Sequence, residues 1–333
     1  MPKFLIVGFG SIGKRHFDNL RQIENVRVSI LTRRHLDLPD AKVYSSIKEA
    51  IDEDFDAIFI ANETALHLTT AIAFAERGYN LFIEKPLSHS LEGVDKLVSL
   101  VSKHNLKLMV GCNMRFHPSV RLLKEFIQQG KIGQVISARI EAGQYLPDWR
   151  PGRDYRDSYS ARREQGGGVI LDLIHELDYV YWFFGGASKI FCFSGKKGDL
   201  EIETEDVAEI IIEFENSTLC EVHLDYLQRY PGRSVSLIGT EGVIQADLIA
   251  SWLKVFEAGK GDWEAFDMGT NFERNEMYQD EIKHFMNYLS GSSGEPLIGL
   301  RDGIEVLRMA LAAKESSLTG RAVQIQPETR YFR

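Results

Sequence analysis

The segment KFLIVGFGSIG, Lys3 to Gly13, constrains the fold more than any other stretch of the chain. A short apolar run ends in G-x-G-x-x-G and passes into a helix-like stretch, Gly13 to Gln22. In that strand–turn–helix setting the glycines mean more than a turn. The first permits the tight turn, the second lets backbone approach a pyrophosphate, and the third lets helix and strand pack closely. The helix N-terminus then offers free N–H groups and the positive end of its dipole. Gly8, Gly10, Ser11, Ile12 and Gly13 are therefore expected to bind a dinucleotide.

The next hundred residues repeat the same rhythm. Apolar runs VRVSIL, FDAIFIAN, NLFIE and LKLMVG alternate with helical stretches at Ser46–Ile51, Leu66–Arg77 and Ser90–His104. Five strands separated by helices predict a parallel, doubly wound sheet of Rossmann type. After Pro118 the pattern changes. A helix near residues 117–130 leads to a strand, QVISARIEA, and a long polar loop, 143–165. One continuous helix is expected from Gly168 to Phe184. Six closely spaced strand-like runs follow, from SKIFCFSG to SWLKVFEA, with helices at 273–289 and 302–318. This predicts an α+β second domain with a mainly antiparallel open sheet. The expected division is residues 1–118 and 119–333.

The length, 333 residues, favours two domains over one core. A formal net charge of −9 argues against general nucleic-acid binding, which needs a basic face. No stretch reaches the roughly 18 to 20 apolar residues that span a bilayer. The apolar start breaks on glycines and runs into Lys14, Arg15 and His16, unlike a signal peptide. Cys112, Cys192 and Cys220 are distant and odd in number, so neither a disulfide framework nor a metal site is expected. A soluble cytoplasmic protein is the expectation.

The second strand ends in Thr32, Arg33 and Arg34, where an NAD site usually carries an acid for the ribose 2′-hydroxyl. Guanidinium groups suit a 2′-phosphate. NADP is therefore expected, with NAD as the alternative. Ala61, Asn62 and Thr64 follow another strand end and are candidates for ribose or nicotinamide contact.

The run NLFIEKPL closes a strand with Glu84, Lys85 and Pro86. Alone it fits either a strand leaving the core or a lysine aimed at a cofactor. His175, on an apolar helix, has Asp172 three residues before it and Asp178 three after, which would put all three on one helix face. A carboxylate there can select the imidazole tautomer. The 143–165 loop carries Tyr145, Trp149, Arg150, Tyr155 and Tyr159, suited to a sugar. Its five arginines favour a nucleotide-linked or acidic sugar, although four acidic residues nearly balance them, so internal ion pairs compete with ligand binding. Trp149, Arg150, Tyr155 and Arg115 are candidate substrate contacts.

Taken together, FLIVGFGSIGKRH, ANETALHLTTAIAFAERGYNLFIEKPLS, VGCNMRFHPSVRLLKEFIQQGKIGQV and GGGVILDLIHELDYVYWFFG resemble, in order, the Gfo/Idh/MocA oxidoreductases. The resemblance covers nearly the whole chain. It implies that Lys85 stands near the nicotinamide and reacting carbon, with His175 and Asp172 as further catalytic candidates. It implies that His67 lies near the cofactor, and that Glu84 either tunes Lys85 or contacts the cofactor. The family commonly spaces the aspartate and histidine by four; here the spacing is three, which puts the role of Asp172 in doubt. The implied function is hydride transfer between nicotinamide and a hydroxyl-bearing carbon of a sugar, nucleotide sugar or cyclitol, by a homodimer or homotetramer paired through the open sheet face. An NAD-dependent glycosidase and a non-catalytic NADP sensor are the alternatives.

Overall fold

The structure, a computed structural model, describes residues 1–36, 38–269 and 272–326. The chain divides into two compact units: Met1–Asn113 with Asn275–Ile304, and Met114–Arg274 with 305–326 of the described residues.

The first unit holds strands β1 (Lys3–Val7), β2 (Arg27–Leu31), β3 (Val43–Tyr44), β4 (Ala57–Ile60), β5 (Asn80–Glu84) and β6 (Leu108–Gly111). Helices α1 (Ser11–Leu20), α2 (Ile47–Ala50), α3 (His67–Ala75) and α4 (Val94–His104) connect them. All strand pairings are parallel, in the order β3-β2-β1-β4-β5-β6. Phe4–Val7, Ala57–Ile60 and Leu81–Ile83 are buried, as expected for strands covered on both faces. The sheet has six strands rather than five. The additional one, β3, is two residues long at the edge, too short to show a period. Helix α4 starts at Val94 rather than Ser90, because Gly93 before it has φ 88°.

The second unit begins with α5 (Pro118–Gln128) and β7 (Val135–Gly143). Two helices follow, α6 (Val169–Asp172) and α7 (His175–Phe184). The rest of the sheet comes from β8 (Ala187–Gly195), β9 (Val207–Phe214), β10 (Leu219–Asp225), β11 (Gly232–Gly239), β12 (Gly242–Asp247), β13 (Trp252–Glu257), β14 (Asp262–Asp267) and β15 (Val323–Gln324). The order is β14-β13-β12-β11-β7-β10-β9-β8-β15, open at both ends and antiparallel except for the β7–β10 pair. Ala208, Ile210 and Ile212 of β9 and Cys220, Val222 and Leu224 of β10 are buried, while the residues between them face outward. That alternation is the mark of a sheet covered on one face.

Two expectations need correction. The helix foreseen over Gly168–Phe184 is broken: Leu173, at φ −94° and ψ 31°, ends α6 before His175 starts α7. The 118/119 division also differs from the observed one. Helix α8 (Arg274–Ser290) groups with the first unit from Asn275 onward, and α9 (Leu300–Thr319) does so up to Ile304. The cause is packing. Asn275 and Asn19 exchange amide hydrogen bonds of 3.2 and 2.8 Å. Phe285 meets the Phe59 and Phe82 rings edge-on. Among the described residues no helix is long and apolar enough to cross a membrane.

Candidate active site

The strand order of the first sheet reverses at β1, where β2 and β4 flank it. Open α/β sheets bind ligands beyond the carboxyl ends of strands at such a switch point. The register aligns those ends: Val7 pairs with Leu31 and Ile60, and Ile60 with Ile83. Gly8, Thr32, Ala61 and Lys85 therefore leave the sheet on one edge.

The glycine loop has the geometry that a dinucleotide requires. Gly8 has φ 96°, and a Cβ on it would lie 2.6 Å from Ala61 O. A Cβ on Gly13 would strike Gly8 O at 2.1 Å. Around Gly10 the space is open, with no atom within 4 Å of a Cβ built there. Gly10 is also the N-cap of α1, with no side chain capping the first turn and no acidic residue in it. The loop is thus tight against the protein and open where a pyrophosphate is expected, so these residues fit the group. Thr32 Oγ1 accepts from Arg34 N–H at 3.2 Å, and Arg34 Nη1 donates to Phe9 O at 3.2 Å. Arg33 and Arg34 are both exposed.

Lys85 follows β5 directly and is half-buried. The residues on either side of it are held by histidines. Glu84, 6% exposed, meets His16 of α1, with 2.5 Å between Oε1 and Nε2. Glu84 is thus bound to α1, a partner not foreseen for it. On the other side, His67 Nδ1 lies 2.8 Å from Pro86 O, and its Nε2 lies 3.1 Å from Asn62 O. Burial holds His67 below the ordinary histidine pKa. A neutral ring has one N–H, and we assign it to the shorter contact. A protonated ring would satisfy both carbonyls, but burial opposes that. Asn62 Nδ2 donates to Thr70 Oγ1 at 3.0 Å, leaving its buried Oδ1 without a partner among the described residues.

In the second unit, Arg115 is not an open substrate contact. It is 1% exposed, and its Nε and Nη2 donate to the two carboxylate oxygens of Asp178 at 2.9 and 2.8 Å. Asp178 thereby anchors α7, the helix that His175 opens. Asp172 lies across the break from His175 and accepts a 2.6 Å hydrogen bond from the Tyr226 hydroxyl. The shared helix face is therefore lost. Burial, and then the Asp172 charge, hold that hydroxyl far above the usual phenol pKa, so it remains a donor. Trp149 packs edge-on against Tyr226 at 5.3 Å, and Arg150 stands 5.3 Å over the Tyr159 ring. Tyr155 accepts from Glu201 N–H at 3.1 Å. Arg156 pairs with Asp154 and Glu201, and Arg162 with Asp157. Ion pairing thus claims two of the loop's arginines.

The sequence reading missed His16 as a site residue, and Tyr226 and Arg233 altogether. Arg233 Nε donates to the buried Glu176 at 2.8 Å. A signal for His16 was present. Gly13, His16, Phe17 and Leu20 form a buried stripe at helical spacing, and Glu84 closes a buried strand. Two buried polar groups in one small unit need partners.

Comparisons with known proteins bear on the family and the fold. The family model described as "Oxidoreductase family, NAD-binding Rossmann fold" matches residues 2–112. That described as "GFO/IDH/MocA C-terminal domain" matches residues 120–245. The chain is 28% identical over 344 residues to the oxidoreductase YrbE of Bacillus subtilis, covering 96% of each chain. It is 28% identical over 343 residues to myo-inositol 2-dehydrogenase of Thermotoga maritima, covering 96% of this chain and 98% of that one. A solved levoglucosan dehydrogenase, in complex with NADH and L-sorbose, shares the fold with a TM-score of 0.86 at 21% identity, covering 98% of this chain and 99% of that one. With an NAD-binding Rossmann unit at one end and the matching C-terminal domain after it, the chain belongs to the Gfo/Idh/MocA family of oxidoreductases.

Proposed function

We propose that the protein oxidises or reduces a CH–OH carbon of a sugar or cyclitol, with Lys85 as the principal catalytic residue. The observation that carries this reading is the place of Lys85: it leaves β5 on the sheet edge that carries the glycine loop, between two residues that are themselves fixed. The relatives named as inositol and levoglucosan dehydrogenases support the substrate class.

In this reading Gly8, Gly10, Ser11, Ile12 and Gly13 hold the pyrophosphate, and Thr32, Arg33 and Arg34 hold the adenosine ribose and its 2′-phosphate. Ala61 and Asn62 border the nicotinamide side, beside His67. The cofactor supplies the hydride acceptor or donor. Lys85 stabilises negative charge on the substrate oxygen as its proton leaves or returns. His175 takes or relays the proton, and Asp172, held by Tyr226, orients the substrate. Lys85 belongs to the first unit and His175 to the second. Trp149, Arg150 and Tyr155 contribute to the sugar side. With Arg156 and Arg162 committed to carboxylates, the loop suits a neutral sugar or cyclitol better than a nucleotide-linked one.

The test is single-turnover hydride transfer by Lys85→Met at saturating cofactor, with a substrate found in a sugar and cyclitol panel. Loss of one electrostatic stabiliser commonly costs about 100- to 1000-fold. Transfer at the unmodified rate would return Lys85 to the status of a strand terminus. Sugar release without net cofactor turnover would instead indicate a glycosidase.

A further inference from the structure

We propose that His16 is a positioning residue for Lys85, through which the phosphate-binding helix and the lysine move as one body. The proposal rests on the reading of Lys85 as the group that acts on the substrate oxygen. His16 lies on α1, one turn beyond Gly13, and is fully buried. Its Nε2 is 2.5 Å from Glu84 Oε1, and the two side chains are 0% and 7% exposed. The imidazole is enclosed by the rings of Phe82 at 5.2 Å, Phe59 at 5.7 Å and Tyr278 at 6.3 Å. A polar pair in such a cage is a poor way to gain stability, since well-packed apolar residues serve as well or better. What the pair provides is a fixed distance between one helix and one strand end. Glu84 is the last residue of β5, and the next residue is Lys85.

The opposite side of Lys85 is tied down as well. His67 of α3 holds Pro86 O at 2.8 Å. The backbone around the lysine is therefore pinned at both neighbours, and of these two ties it is the His16 one that runs to the helix whose N-terminus faces the phosphates. That helix is itself gripped beside His16: Arg15 donates to Asn275 at 3.2 Å and stands 4.7 Å over the Tyr278 ring. A phosphate pulling on the Gly10–Gly13 end of α1 then acts on Glu84 through His16, about one turn away. Lys85 takes its working position when the cofactor's pyrophosphate is bound.

The experiment reads Lys85 without turnover. ADP-ribose or its 2′-phosphate carries the pyrophosphate but no nicotinamide, so it cannot shield the lysine as the nicotinamide would. The labelling rate of Lys85 by trinitrobenzenesulfonate, followed by peptide mass spectrometry, is compared with and without that ligand. In the unmodified protein the ligand should change the rate by about fivefold or more, the low end of couplings between sites. The double variant His16→Phe, Glu84→Leu replaces the pair by apolar groups that suit the aromatic cage. It should keep its fold and its affinity for the ligand while losing the labelling response. His16→Gln, whose amide can still donate to Glu84, should retain the response. A double variant with the full response overturns the proposal. So does one that loses its fold or its ligand affinity, because the pair would then serve stability alone. Failure of the catalytic reading shows separately, as undiminished hydride transfer by Lys85→Met.

Discussion

Replacing Arg115 by methionine should cost the second unit about 3 to 5 kcal/mol, the usual penalty for stranding one partner of a buried ion pair. Both side chains are 1% exposed, and the contact is bidentate at 2.8 and 2.9 Å. Arg115→Met therefore leaves a carboxylate with little access to water. The reverse change, Asp178→Asn, leaves a guanidinium that cannot shed its proton. Lys124 stands close by: its Nζ is 5.6 Å from the centre of the Trp182 ring, and the Arg115 guanidinium carbon is 5.5 Å from the same ring. Burial, and then the Arg115 charge, already lower the Lys124 pKa. Without Asp178 the two cations repel more strongly, and Lys124 discharges more readily in the folded state than in the unfolded one. The deficit of Asp178→Asn should accordingly shrink as pH rises, because the unfolded state then binds the extra proton. Arg115→Met with Asp178→Leu should recover most of the loss. Trp149, Trp182, Trp252 and Trp263 are the chain's four tryptophans, and all lie in the second unit. Urea unfolding followed by tryptophan fluorescence thus reads that unit selectively. A loss below about 1 kcal/mol in Arg115→Met, or a double variant as unstable as the sum of the singles, would show that the pair is not what holds α7.

Arg33→Ala with Arg34→Ala should reduce or abolish a preference for NADP over NAD in titrations; equal affinities in the unmodified protein would remove the basis for that preference. On the open sheet face, His223 is raised to about 9, chiefly by Asp225, with Glu209 assisting against burial. An unfolded histidine titrates near 6.5, so its stabilisation is complete below that pH and is lost as pH rises through about 9. His223→Gln should flatten this part of the stability curve, and an unchanged slope would contradict the assignment. The same face carries Phe193, Ile211 and Leu219, each 46–67% exposed, and we expect it to pair with another copy of the chain. Light scattering should return a multiple of 37.8 kDa, reduced to that single-chain mass by Phe193→Glu with Ile211→Glu; a single-chain mass for the unmodified protein would refute the pairing.

What could be read in advance follows the range of the interactions involved. The glycine loop, the strand rhythm and the alternation in β9 and β10 are local patterns, and each carried through to the fold. The place of α8 was hidden because Asn275 and Asn19 are distant in sequence and neither is unusual for a helix. The break at Leu173 was equally hidden, since neither glycine nor proline marks it. Of the candidate site, Lys85 stands out by its motif, but the histidines that hold its neighbours pair with a glutamate and a carbonyl far along the chain. Arg115 was misread because a guanidinium after a strand end looks available until its carboxylate is found sixty-three residues later.

The parallel pairing of β7 with β10 in the second sheet bears on how the chain is made. Strand β7 lies between β10 and β11, so neither neighbour exists until residues 219–225 and 232–239 have left the ribosome. At the usual pace of about 5 to 20 residues per second, β7 waits for several seconds with both edges bare. Such a strand invites pairing with another nascent chain. Its outward side chains Arg139 and Glu141 place charge on the waiting segment, the kind of residue that discourages edge-to-edge association. The aromatic loop and His175 lie within the chain that must emerge during that wait, so both take shape only as the central strand of their sheet is enclosed.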